Sequence, residues 1–245
     1  MSLIRLFGSF VVASAASLSL TGAAHAQSQP RAVVELYTSQ GCSSCPAADK
    51  LLGELAQDSS IVALTLPVDY WDYLGWKDTL ANPRHTARQR AYSHARGDRE
   101  VYTPQVVVNG KLHVLGSDRS AIEQAIARTR DQAMTVPVTL TATADHLTVS
   151  IPETESARGE VWLCALTKSI PVAIRRGENS GRQVTYSNVG RRWVKLGDWN
   201  GKAASWTVPA DRIKDMGVDA AAVMVQSGTS DKPGPMLGAA LANLR

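Results

Sequence analysis

Cysteine is scarce in this chain. Three cysteines in 245 residues are too few for a disulfide scaffold, and a chain this long can bury a core without one. Charge of one sign is scarce as well. The 26 Lys and Arg stand against 22 Asp and Glu, a balance that excludes the basic footprint of a nucleic-acid-binding protein. Histidines at ligand spacing are missing: His85, His94, His113 and His146 are scattered. They give no reason to expect a metal site or a cofactor. Beyond the first 26 residues there is no apolar run long enough to cross a bilayer.

Those first 26 residues are the exception. Arg5 is followed by an apolar, small-residue run and then by Ala24-His25-Ala26, the pattern of a secretory signal peptide with an A-x-A cleavage site. The expectation is a cleaved signal at 1–26 and a periplasmic or secreted mature chain with no stable membrane insertion. No cysteine lies close behind the run to carry a lipid. Without Arg5, 25 basic residues face 22 acidic ones.

Hydrophobic periodicity then divides the remainder into two parts. Ala32 to Thr38 (AVVELYT) reads as a buried strand, and Ala48, Leu51, Leu52 and Leu55 follow at helical spacing. Ile61 to Val68 is a second strand-length run. Asn82 to Asp98 has helical character, and Gln105 to Val108 leads through Asn109-Gly110 into a returning strand. Ser117 or Asp118 caps a helix bearing Ala121, Ile122, Ala125 and Ile126. This order predicts an α/β, thioredoxin-like domain over 27–133. From Val136 onward, alternating runs separated by Gly, Pro, Asn and Asp predict an all-β, sandwich-like domain over 134–245. RGENSGR, from Arg176 to Arg182, is either a functional loop, with Arg175, Arg176 and Arg182 flanking Glu178, or, as its turn formers favour, a hairpin connection.

The segment ELYTSQGCSSCPAAD carries the chemistry. Cys42 and Cys45 sit between the first strand and the first helix, where helix amides and dipole stabilise a thiolate. Cys42, at the start, is the expected exposed nucleophile. Cys45, one turn in, is the expected resolving thiol. Ser43 and Ser44 offer hydroxyl donors, and Pro46 costs the first turn no hydrogen bond. In the predicted fold Thr103-Pro104 is cis and faces the pair. Glu35 can shuttle the resolving thiol's proton or serve structurally. Trp71, Tyr73 and Trp76 form either an aromatic wall over the sulfurs that contacts substrate or a packed connection. Cys164 reads as a buried small hydrophobe. The serines and the helix end together predict a pair more oxidising than thioredoxin, by roughly 40–90 mV.

ELYTSQGCSSCPAAD, VDYWDYLGWKD, RQRAY and VYTPQVVVNG together resemble a bacterial family of exported thioredoxin-like proteins catalogued as a domain of unknown function. The resemblance implies a redox role for Cys42 and Cys45 and names no substrate. Gly41 before the first cysteine and Ser-Ser between the pair depart from ordinary thioredoxins. The function expected is thiol-disulfide exchange with cysteine-containing proteins or a membrane redox partner. The alternatives are a Cu(I) chaperone using the same cysteines and a binding module with a structural disulfide.

Overall fold

The computed structural model describes residues 29–155, 157–213 and 217–244; the expected signal peptide lies outside them. The first strand, β1 (Ala32–Thr38), is buried at every position. It feeds α1 (Cys45–Leu55), which buries Ala48, Leu51, Leu52 and Leu55 at the expected spacing and also buries Asp49. Next comes β2 (Ile61–Pro67), parallel to β1 with Ala32 opposite Ile61. The helix α2 (Pro83–Arg96) starts where the Asn82 side chain accepts from the Arg84 amide and stops at Gly97, whose φ is +81°. The hairpin of β3 (Gln105–Val108) and β4 (Leu112–Leu115) turns on Asn109 and Gly110, both at positive φ, and β3 runs antiparallel to β1. Asp118 caps α3 (Arg119–Thr129) by accepting from the Ala121 amide.

The remaining strands are β5 (Thr139–Ala142), β6 (His146–Ile151), β7 (Gly159–Ala173), β8 (Gln183–Trp199), β9 (Ala204–Pro209), β10 (Ala220–Thr229) and β11 (Lys232–Asn243). Two depart from a simple pattern of alternating runs between turns. RQVTYSNV and RRWVKLG are one strand, because the chain passes through Asn188 and Gly190 with a register shift instead of a turn. The last strand, β11, is rich in Gly, Ala and Pro and shows too little alternation to be read in advance.

Eight strands make one sheet in the order β11-β10-β7-β8-β2-β1-β3-β4, and β5-β6-β9 make a second. The chain is thus a mixed α/β protein with a large sheet and few helices. The expected boundary near residue 133 does not interrupt that sheet: β8 joins β2 in parallel where Thr65 meets Val189. The Thr65 hydroxyl donates to the Ser187 carbonyl at 2.5 Å, and the Asn188 amide donates to the Ala63 carbonyl at 3.0 Å. The second half is therefore not a free-standing sandwich. Two layers do face each other there, with Leu140, Leu147 and Val149 against Leu163, Val223 and Val225, but one layer continues the sheet of the first half.

β1 separates two further cores. On one face Val34 and Leu36 pack with Ala48 and Leu52 of α1 and Ile122 of α3. On the other, Val33 and Tyr37 pack with Tyr92 of α2, Cys164 and Met224. Among the described residues no helix is long and apolar enough to cross a membrane.

Candidate active site

Beyond Thr38 the chain makes a tight passage into α1. The Cys42 amide donates to the Ser39 carbonyl at 3.1 Å, and the Cys45 amide to the Cys42 carbonyl at 3.2 Å. This turn brings the Cys42 and Cys45 Cα atoms to 5.4 Å, and the two sulfurs form a disulfide, a separation ordinary for such a bond. Pro46 sits in the first turn of α1. The Ser44 hydroxyl lies 3.4 Å from the Cys42 sulfur. Ser43 is exposed, and its amide donates at 3.3 Å to the Glu178 carboxylate instead of to sulfur.

The expected exposed nucleophile is not exposed. Cys42 is 2% accessible and Cys45 fully buried. Trp71 backs the turn: a methyl at Gly41 would stand 3.3 Å from Trp71 Cβ, so the glycine that departs from the thioredoxin pattern allows the tryptophan to sit against the chain. The Trp71 indole donates to the Thr103 hydroxyl at 2.8 Å. The Trp76 indole donates at 2.8 Å to the side chain of Gln40, which is fully buried. These two tryptophans brace the approach to the cysteines, whereas Tyr73 is 79% exposed and belongs to no wall. The Thr103-Pro104 bond is cis. Pro104 is buried near α1, since the space beside Gly116 is shared by Pro104, Leu36 and Ala48.

Glu35 is placed differently from the shuttle expectation. Strand alternation puts it on the α2 face of β1, opposite α1. There it accepts from Arg88 Nε at 2.7 Å and from the Tyr92 hydroxyl at 2.6 Å. Arg88 also donates to Gln226 and lies 4.9 Å from the ring centroids of both Tyr92 and Trp193. Burial is the largest single influence and works against its charge, but the Glu35 carboxylate, the Tyr92 and Tyr37 hydroxyls and the hydrogen bond to Glu35 together outweigh it and push the guanidinium up. Glu35 is thus a locked structural anion.

The carboxyl on the dithiol's side is Asp49. It lies one turn after Cys45 on the same buried face of α1, and neither of its oxygens makes a hydrogen bond of normal geometry, the Thr38 hydroxyl being near enough to ease its ionisation without closing one. Desolvation pushes it up to about 8, with the Thr38 hydroxyl pulling the other way and Asp78 adding to the rise. Asp78 is itself raised to about 6 by burial, although the Gln40 and Leu80 amides donate to it at 2.8 Å. The i, i+4 spacing from Cys45 was the available signal for Asp49.

The β7–β8 hairpin ends in Arg175 to Arg182, and this tip returns to the cysteines. Asn179, 1% exposed, donates to the Gln40 carbonyl at 3.0 Å and the Cys42 carbonyl at 2.7 Å. The segment is thus a hairpin connection, as its turn formers indicate, and a wall of the site as well. Cys164 is buried on the strand face away from the pair, and burial pushes its thiol up. Among the described residues no group of three His, Cys, Asp or Glu is gathered as metal ligands.

An α/β fold with a covered Cys-x-x-Cys disulfide at a strand-to-helix junction defines the class. Within it, residues 33–226 match the family model described as Protein of unknown function (DUF1223), and the chain belongs to that family. It is similar to the Agrobacterium tumefaciens protein AGR_C_4864, known from its crystal structure. That protein is 32% identical with a TM-score of 0.79, over 88% of this chain and 95% of that one. HBP35 of Porphyromonas gingivalis shares the fold at a TM-score of 0.60 and 11% identity, over 88% of this chain and 76% of that one. No curated protein matches the chain.

Proposed function

We propose that this is an exported thiol-disulfide oxidoreductase of thioredoxin-like architecture, with Cys42 and Cys45 exchanging with cysteines of client proteins. The observation that carries the reading is the disulfide at the amino end of α1, with a hydroxyl 3.4 Å from the Cys42 sulfur and an unpaired buried acid one turn behind Cys45. A purely structural staple needs neither.

The chemistry balances with these groups. A client thiolate attacks the Cys42 sulfur, the bond to Cys45 breaks, and its electron pair goes to the Cys45 sulfur. Asp49 is raised to about 8 and so is mainly protonated at neutral pH; it supplies the proton that Cys45 takes up. A second client thiolate then attacks the client sulfur of the mixed disulfide, releasing Cys42 as a thiolate that the Ser44 hydroxyl receives. The client leaves oxidised and the pair holds two electrons, which a membrane redox partner would remove. Export rests on residues 1–26. The Cu(I) reading would require a third ligand or a second chain.

Insulin reduction by dithiothreitol is the test. The expected result is faster precipitation with the wild-type protein, no acceleration with Cys42→Ser, and trapped mixed disulfides with Cys45→Ser. The rate of dithiothreitol alone in all three samples would reject the proposal.

A further inference from the structure

Between Ile174 and Val184 every residue of the hairpin tip is exposed except Asn179. The tip is stiff. The Ile174 amide donates to the Arg182 carbonyl, the Gly181 amide to the Ile174 carbonyl and the Ser180 amide to the Gly177 carbonyl, all within 3.1 Å. Gly177 and Gly181 take up positive φ there, which admits glycine at no steric cost. On one side the tip rests on Trp76: a methyl at Gly177 would stand 3.3 Å from Trp76 Cβ. On the other it inserts Asn179 behind the cysteine turn.

Both amide hydrogens of Asn179 are used, one on each of two carbonyls that flank Gly41. The Cys42 carbonyl therefore has two donors, the Cys45 amide that starts α1 and a side chain 137 positions away in sequence. The neighbouring Glu178 acts on charge. Its carboxylate takes the Ser43 amide at 3.3 Å, a donor at the helix entrance that is otherwise free to receive a Cys42 thiolate.

From this we infer that the hairpin tip of the carboxy-terminal half is part of the redox centre. Asn179 is a positioning residue that holds Cys42 in line for exchange with Cys45, and Glu178 disfavours the Cys42 thiolate by competing for the Ser43 amide and by its own charge. The inference rests on the exchange reading above. It assigns the second half of the chain a role in setting the poise of the pair, in place of mere covering. With Asn179 removed, two buried carbonyls lose a donor and the Cys42 backbone gains freedom. The intramolecular attack between Cys42 and Cys45 then loses part of its effective molarity.

Equilibration of the full-length protein with glutathione buffers, together with the pH dependence of Cys42 alkylation in a Cys45→Ser background, tests this. Glu178→Gln should shift the dithiol-disulfide equilibrium about threefold toward the reduced form, about 15 mV, and move the alkylation midpoint to lower pH. Asn179→Ala should slow resolution of the glutathione mixed disulfide about tenfold, with Asn179→Asp no better because it offers no donor. If Asn179→Ala fails to fold, Glu178→Gln still decides, since its side chain is exposed. A wild-type pair that does not exchange with glutathione removes the exchange reading and this inference together. If the wild type exchanges and the variants change only the melting temperature, with equilibrium and pH profile unmoved, the tip is structural and this inference alone is overturned.

Discussion

Glu35 and Asp49 are buried on opposite faces of β1, and the two faces treat them in opposite ways. On the α2 face Glu35 is fully buried and meets a guanidinium and a phenol hydroxyl at 2.6–2.7 Å. On the α1 face Asp49 is 2% exposed, makes no hydrogen bond of normal geometry and is pushed up to about 8. Burial with a partner fixes a charge and ties elements together; burial without one leaves a group holding a proton at neutral pH. The first pattern builds structure, and the second keeps a proton one turn behind Cys45, where the proposed exchange would draw on it.

The largest effect should come from breaking the paired side. Arg88→Ala leaves Glu35 as an uncompensated buried anion and cuts the links from α2 to Gln226 of β10 and to Trp193 of β8. A loss of about 3–5 kcal/mol in urea-induced unfolding is expected. Because the network spans both halves, far-ultraviolet dichroism and tryptophan fluorescence should report one coincident transition. Two separated transitions would show that the halves fold independently in spite of the shared sheet.

On the unpaired side the sign reverses. Asp49 has its folded value raised to about 8 from an ordinary carboxyl value. Between about pH 4 and pH 8 the folded chain therefore keeps a proton that the unfolded chain has released, and stability falls as pH rises through that window. Asp49→Asn should remove this slope. The variant is expected to be more stable than wild type by about 2–4 kcal/mol at pH 9 and by less than about 1 kcal/mol at pH 4, while exchanging disulfides more slowly at neutral pH. An equal difference at the two pH values would mean that Asp49 is not held protonated by burial.

This contrast also marks how far the sequence could be read. Every element through α3 was legible, because strand and helix periodicity, Asn109-Gly110 and the Asp118 cap are local signals. The cysteine pair and Thr103-Pro104 followed from their place in that order. Glu35 against Asp49 was not decidable from strand position, since the choice turns on Arg88, 53 residues further along the chain. Asn179 was further out of reach. Its segment carries only turn chemistry, and its function comes from β8 joining β2, a pairing that rests on a single register position and on side-chain bonds. Long-range contact of this kind leaves no periodic trace.

A smaller effect separates Cys164 from the pair. It is fully buried with its thiol pushed up by desolvation, so it should behave as an inert core residue. After reduction the native protein should equilibrate Cys42 and Cys45 with glutathione, while Cys164 should react with a thiol reagent only in denaturant. Cys164→Ala should cost about 1–2 kcal/mol without changing the glutathione equilibrium. Labelling of Cys164 in the native state would bring it into the redox chemistry.

The smallest effect on stability is expected where burial is least. Tyr73 is 79% exposed and Leu74 36%, on the segment whose Trp71 backs Gly41 and whose Trp76 carries the hairpin tip. An aromatic ring this open contributes little to folding, so Tyr73→Ala should change the unfolding free energy by no more than about 0.5 kcal/mol. A tripeptide offers little area to an exposed ring, and the glutathione equilibrium should be unaltered. A folded or extended protein client is large enough, and loss of the ring should raise the KM for insulin about threefold to tenfold with kcat unchanged. Tyr73→Phe should keep most of the wild-type value, because the ring and not the hydroxyl supplies the contact area. If Tyr73→Ala reduces insulin at the wild-type KM, the exposed ring serves no client. Recognition would then fall to the hairpin tip, so that the second half of the chain would supply both the poise of the pair and its selectivity.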